Sequence, residues 1–230
     1  MLAARNDVAI TDIQLSTLAG YEQLLRGWNQ KLNLISRKNE EGIWSNHIPL
    51  SLAFLFKIDF PKGKRVLDLG TGGGLPGIPL AIMLPEVSFL LLDSVQKKIT
   101  AVQEMVASLQ LHNVATVCSR AEDLNKKPGY HYTFDAVIAR SVSGLENLVS
   151  WGMPFLKPQK VLSFQALGFG QKLSLDSPAL ITMKGGETEA EIARTTRRFP
   201  NVQIHSLDLL FKGDETLQNS EKKLIIIQNG

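Results

Sequence analysis

LDLGTGGGLPGIPLAI, residues 67–82, reads as the end of a strand, a glycine loop and the start of a helix. Gly70, Gly72, Gly73 and Gly74 take side-chain bulk out of the loop, and such a loop lets a ligand touch the backbone. Four glycines in five residues exceed what a tight strand-to-helix turn needs. Pro76 suits a first-turn position of the next helix.

Downstream the pattern repeats. RVLDLG (65–70), PGIPLAIML (76–84), SFLLLD (88–93) and VQKKITAVQEMVASL (95–109) alternate short apolar runs with amphipathic helices, the signature of βαβ units. VATVCS (114–119) and FDAVIAR (134–140) continue the series. Their near-continuous apolar character predicts burial on both faces of a parallel sheet, with the ligand at the carboxyl ends of the strands. Either VLSFQAL (161–167) or ALITMKGG (179–186) can serve as the fifth strand, and VQIHSLDL (202–209) with KKLIIIQN (222–229) reads as a closing antiparallel hairpin.

Upstream, Thr11 and Asp12 can cap a helix with Ile13, Leu18, Tyr21, Leu25 and Trp28 at helical spacing. A second helix from Glu40 to Phe56 places Trp44, Ile48, Leu52 and Phe56 on one buried stripe, with Pro49 kinking or restarting it. Residues 1–60 are therefore expected to form a helical region packed on a main domain, 61–230.

The chain has 230 residues, 44% hydrophobic and 20% charged, enough for one α/β core. Its apolar runs stop well short of the roughly 20 residues that span a bilayer. No basic segment followed by an apolar one opens the chain, so a cytoplasmic protein is expected. The single cysteine, Cys118, has no internal disulfide partner and is read as core packing; no Cys/His cluster has zinc spacing. A net charge of +3 permits a nucleic-acid partner without arguing for one. Lys62, Lys64 and Arg65, Lys97 and Lys98, Lys126 and Lys127, and Arg194, Arg197 and Arg198 are the basic clusters that could meet phosphate.

Two cofactors compete for the glycine loop. GGGLPG (72–77) fits the dinucleotide pattern G-x-G-x-x-G, with Asp93 near the distance expected of a ribose-binding acid. Asp68 discriminates, because a carboxylate inside an apolar central strand is expensive to bury alone. The ammonium of S-adenosylmethionine supplies the compensating charge, whereas a pyrophosphate has the opposite sign. S-adenosylmethionine is therefore the expected cofactor, on a Rossmann-like α/β methyltransferase sheet with helices on both faces. Asp93 can accept from the ribose hydroxyls or cap the next helix with Ser94. In SRAED (119–123), the backbone of Ala121 and Glu122 could read the adenine amine, or the segment could be a solvated turn.

The chain resembles the small-subunit ribosomal RNA guanine-N7 methyltransferases known as RsmG or GidB. The resemblance rests on WNQKLNLIS (28–36), LDLGTGGGLPGIPLAI, LLDSVQKKI, SRAEDL and FDAVIARSVSGLENLVSW. It implies methyl transfer from S-adenosylmethionine to N7 of guanine 527 in 16S ribosomal RNA, free or in the small subunit. It also implies cofactor roles for Gly70, Leu75, Ala121, Glu122 and Arg140, beside the Asp68, Gly72 and Asp93 already singled out. Two departures stand: in HIPLSL (47–52) Leu50 occupies the place of the family's usual acid, and the segment between FLKP (155–158) and MKGG (183–186) is longer than the family pattern. Guanine N7 carries a lone pair and no proton, so no catalytic base is expected, and His47, His112, His131 and His205 read as structural or solvated. A monomer that binds neither metal nor membrane is expected. The competing readings are an NAD-dependent oxidoreductase and a non-catalytic RNA-binding protein on the same fold.

Overall fold

Successive side chains of a strand point to opposite faces, so a strand with both sets buried must lie inside a sheet covered on two sides. Strand β1 (Arg65–Leu69) has this property: Val66 and Asp68 are buried on one face, Leu67 and Leu69 on the other. The computed structural model describes residues 2–36, 41–158 and 172–230. Around β1 it assembles β2 (Ser88–Asp93), β3 (Val114–Cys118), β4 (Ala136–Arg140), β5 (Ala179–Gly185), β6 (Val202–Asp208) and β7 (Lys222–Asn229). The seven strands run in the order β3-β2-β1-β4-β5-β7-β6. Strands β1 to β5 are parallel, and β7 pairs antiparallel with both β5 and β6.

Helices α1 (Asp12–Asn29), α2 (Gly77–Met83) and α3 (Gln96–Ser108) share a core with Val66, Ile138, Ile181 and Ile226 on one face. On the other, α4 (Ala121–Leu124), α5 (Leu145–Gly152) and, through Ile192, α6 (Glu189–Arg198) pack on Leu67, Val137, Leu180 and Ile225. The order of the β strands reverses direction at β1 and β4, and this crevice at their carboxyl ends is where open α/β sheets take ligands.

Helix α1 starts where its sequence predicts. Thr11 Oγ1 accepts from Gln14 N at 3.2 Å and Gln14 Oε1 accepts from Thr11 N at 3.0 Å, a reciprocal cap of a kind whose loss costs about 1 kcal/mol. Leu18, Tyr21 and Leu25 are buried as expected, but Ile13 is 80% exposed. Five residues before Leu18, it lies about 140° round the helix from that face.

The expected helix 40–56 is in three pieces. A π-helical turn, Ile43–His47, precedes Ile48–Leu52 and Phe54–Lys57, with Pro49 in the first turn of the restart. Ile48, Leu52 and Phe56 are buried, whereas Trp44 is 45% exposed, because the wider π turn puts it out of phase with the two helices after it. Glu40 lies outside the described residues. Leu18, Tyr21, Ile43, Ile48 and Phe54 belong to the same core as Val66 and Phe89, so one apolar interior runs from the N-terminal helices into the sheet.

Three further expectations are corrected. Strand β3 is an edge strand, so VATVCS is covered incompletely and Cys118 is half-buried rather than a core residue. Pro76 caps α2 rather than lying in its first turn, after a cis Leu75–Pro76 bond. The strand beside β4 is ALITMKG, which continues the parallel register from Ala136↔Ala179 to Arg140↔Met183; VLSFQAL lies outside the described residues.

Candidate active site

The glycine loop has two sides. At the end of β1, Gly70 N and Thr71 N both donate to Leu92 O, at 2.8 and 2.9 Å, tying the loop to β2. Gly70 adopts φ +74°, and a Cβ there would stand 2.8 Å from a Val142 methyl. Gly70 lines a cavity of about 300 Å³ at the strand ends, together with Asp93, Lys98, Ala121, Glu122, Val142 and Trp151 among others.

Asp93 ends β2 at the edge of this cavity and is 7% exposed. Its Oδ2 accepts from Gly72 N at 3.1 Å, its Oδ1 from Val95 N at 3.0 Å, and Lys98 Nζ stands 3.7 Å away. The carboxylate thus fixes both the glycine loop and the turn into α3. Each oxygen has a second lone pair, which leaves acceptor capacity for a ligand. Ala121 and Glu122 open α4, where first-turn N–H groups have no partner within the helix. Ala121 is buried and Glu122 exposed.

Behind the loop lies a second set of polar groups. Asp68 is fully buried; its Oδ2 accepts from Thr71 Oγ1 at 2.6 Å and Gly77 N at 2.9 Å, while Oδ1 has no partner among the described residues. Burial pushes its carboxyl up to about 6, against the opposing pull of those hydrogen bonds and of Arg140. Arg140 closes β4; its Nη1 donates to His47 O at 3.1 Å and its Nη2 lies 3.2 Å from His47 Nδ1. Burial lowers its affinity for the proton, and Tyr21 and Asp68 raise it. Tyr21 Oη donates to Gly73 O at 2.8 Å, with burial holding its hydroxyl well above the usual range. His47 is pushed down to about 4 by burial and by Arg140, which keeps the ring neutral.

The sequence-predicted residues therefore divide. Gly70, Asp93, Ala121 and Glu122 line the cavity, whereas Asp68, Gly72, Leu75 and Arg140 stand beside or behind it. Leu75 is buried in the core on the N-terminal side. The sequence marks Tyr21 as a stripe residue and His47 as structural or solvated; it does not show that the ring of His47 meets Arg140 or that the Tyr21 hydroxyl holds Gly73 O. Of the basic clusters, Lys97 and Lys98 are at the cavity end of the sheet, where Arg120 also lines the cavity. Lys62, Lys64 and Arg65 are at the opposite end, the start of β1, with Lys62 paired to Glu86 and Lys64 to Asp135.

The chain as a whole is similar to known proteins. Residues 14–220 match the family model described as rRNA small subunit methyltransferase G. The chain is 42% identical over 191 residues to the ribosomal RNA small subunit methyltransferase G of Chlorobium limicola, covering 83% of this chain and 76% of the relative. It is 38% identical over 231 residues to the protein of that name from Chlorobaculum tepidum, covering 98% and 94%. In backbone it is similar to a SAM-dependent methyltransferase from Aquifex aeolicus, with TM-score 0.51 and 15% identity over 79% of this chain and 88% of that one. At that identity the likeness speaks for the fold alone.

Proposed function

Because the chain belongs to the rRNA small subunit methyltransferase G family, we propose that it transfers the methyl group of S-adenosylmethionine to N7 of guanine 527 in 16S ribosomal RNA. The observation that carries the reading is the arrangement of charge around the glycine loop. The cofactor's amino-acid end is a zwitterion. A buried carboxylate, Asp68, with one oxygen unpartnered among the described residues, and a half-buried guanidinium, Arg140, offer it groups of both signs. A pyrophosphate would set two negative charges against Asp68, so the donor set fits S-adenosylmethionine and not NAD.

In this reading Asp93 accepts from the ribose hydroxyls, and the backbone at Ala121 and Glu122 meets the adenine. Gly70 and Gly72 let the loop backbone approach, and Leu75 packs beneath to hold it. Arg140 and Asp68 orient the methionyl end. When bound, the cofactor supplies an electrophilic methyl on a sulfonium. Guanine N7 would take that methyl through its in-plane lone pair while the S–CH3 bonding pair returns to sulfur, leaving a neutral thioether and releasing no proton, so the chain needs to align and desolvate the two partners rather than remove a proton. The 1–60 helical region and the 61–230 methyltransferase domain act as one unit around the loop.

The acceptor is folded RNA, as naked 16S RNA or the small subunit. A net charge of only +3 gives weak phosphate attraction, and folded RNA is recognised largely by shape. The protein acts as a monomer in the cytoplasm; among the described residues no helix is long and apolar enough to cross a membrane. The test is to incubate the protein with methyl-labelled S-adenosylmethionine and small subunits that lack the modification. Label should enter the RNA and not the ribosomal proteins, and short RNA fragments should take up far less. Label in protein alone, or binding of NAD in place of S-adenosylmethionine, overturns the reading.

A further inference from the structure

We propose that His47 is a positioning residue of the methyl-transfer site, whose Nδ1 acceptor and backbone carbonyl fix the guanidinium of Arg140 from the N-terminal helical region. The inference rests on the reading that Arg140 serves the cofactor. A guanidinium has only donors, and those that the half-buried Arg140 turns away from solvent need acceptors at fixed points. Two of its nitrogens find theirs on one residue, Nη1 at His47 O and Nη2 at His47 Nδ1.

The contact dictates the state of the ring. Facing a donor that cannot give up its proton, Nδ1 must be the acceptor, so the proton of the neutral ring is on Nε2. Burial and the charge of Arg140 disfavour the imidazolium and keep the ring neutral; the Nε2–H is then a buried donor with no partner among the described residues. The carbonyl of His47 is available because of the backbone. His47 ends the π-helical turn Ile43–His47, where the chain changes to the Ile48–Leu52 helix, and its carbonyl takes Ser51 Oγ at 2.8 Å as well as Arg140. The two partners are 93 residues apart in sequence. This contact ties the N-terminal helices to the end of β4, next to Ser141 and Val142 in the cavity wall.

A positioning role makes predictions that simple packing does not. Asn presents an acceptor oxygen near the place of Nδ1, Gln presents its amide one bond further out, and Leu offers neither. His47→Leu should weaken S-adenosylmethionine binding by about tenfold, the loss expected for a hydrogen bond to a charged group. His47→Asn should recover most of that affinity and His47→Gln should not. In the Arg140→Ala background, His47→Leu should change the affinity by less than about twofold, because His47 acts only through Arg140. Calorimetric titration of the full chain gives the affinities, and thermal unfolding without cofactor shows that each variant is folded. A His47→Leu loss that persists undiminished in the Arg140→Ala background overturns the proposal, as does rescue by Gln and not by Asn. If Arg140→Ala weakens binding but His47→Leu does not, the proposal alone falls. If Arg140→Ala binds like the wild type, the cofactor reading of Arg140 falls and takes the proposal with it.

Discussion

The cavity side and the buried side of the glycine loop are built by opposite rules. On the cavity side, Gly70, Asp93, Ala121 and Glu122 come from the ends of successive parallel strands, and their positions follow from the repeated βαβ pattern. On the buried side, Asp68 and Arg140 come from central strands, but Arg140 is held by His47 and the loop by Tyr21, both from the N-terminal helices. The glycines reflect the division. A Cβ at Gly70 would stand 2.8 Å from a methyl of Val142 in the cavity wall, and one at Gly73 2.8 Å from a Leu25 methyl of α1. The lesson is that a glycine-rich loop of this kind serves helix packing as much as ligand access.

The largest expected effect breaks the buried side. Tyr21 is fully buried and its hydroxyl holds Gly73 O. Tyr21→Ala should cost about 3 to 5 kcal/mol of stability, as for other large aromatic deletions, and Tyr21→Phe about 1 kcal/mol. Denaturant unfolding measures both. A loss for Tyr21→Ala below about 1 kcal/mol would show that the N-terminal helices are not anchored on the loop.

Next in size is the cavity side. Asp93→Ala should weaken S-adenosylmethionine binding by about 1.5 to 3 kcal/mol, the range for hydrogen bonds to a charged group. Unchanged affinity in a folded variant removes Asp93 from the site.

A third test uses pH to separate the two sides. Asp68 has its folded value raised, to about 6 from an ordinary 3.8. Its contribution to stability is therefore fully present below the ordinary value and is lost as pH rises through about 6. A nearby ammonium favours the carboxylate, so cofactor binding between about pH 5 and 6 should release a proton, and affinity should rise with pH and level off above that window. Calorimetry in buffers of different ionisation enthalpy reads the proton. Asp68→Asn should abolish the release; a release that survives it assigns the proton to another group. The smallest effect concerns Glu122, whose side chain is exposed. If only its backbone meets the adenine, Glu122→Ala should change affinity by less than about 0.5 kcal/mol, and a loss of tenfold would bring the carboxylate into the site.

These contrasts also mark what a sequence can disclose. The strands, the loop, the position of Asp93 at the end of β2 and the cofactor were legible because period, glycine placement and a lone buried acid are local signals. Strand β5 was open between two candidates, as both are apolar runs and only register with β4 decides. Trp44 and Ile13 were misplaced because a π turn and a five-residue spacing shift the phase of a helix, and VATVCS because an edge strand and a central one have the same composition. The pairing of His47 with Arg140 left no local trace, since it depends on how the N-terminal helices dock on the sheet.

The central claim, methyl transfer to a guanine ring nitrogen that needs no base, is tested most directly at the atom that receives the group. Small subunits lacking the modification, after incubation with the protein and S-adenosylmethionine, are reduced and cleaved at N7-methylguanine, and the break is located by primer extension. The account predicts one new break, at guanine 527 of 16S ribosomal RNA, absent without the cofactor. Breaks at other guanines, or methyl groups on RNA that yield no such cleavage, would contradict it.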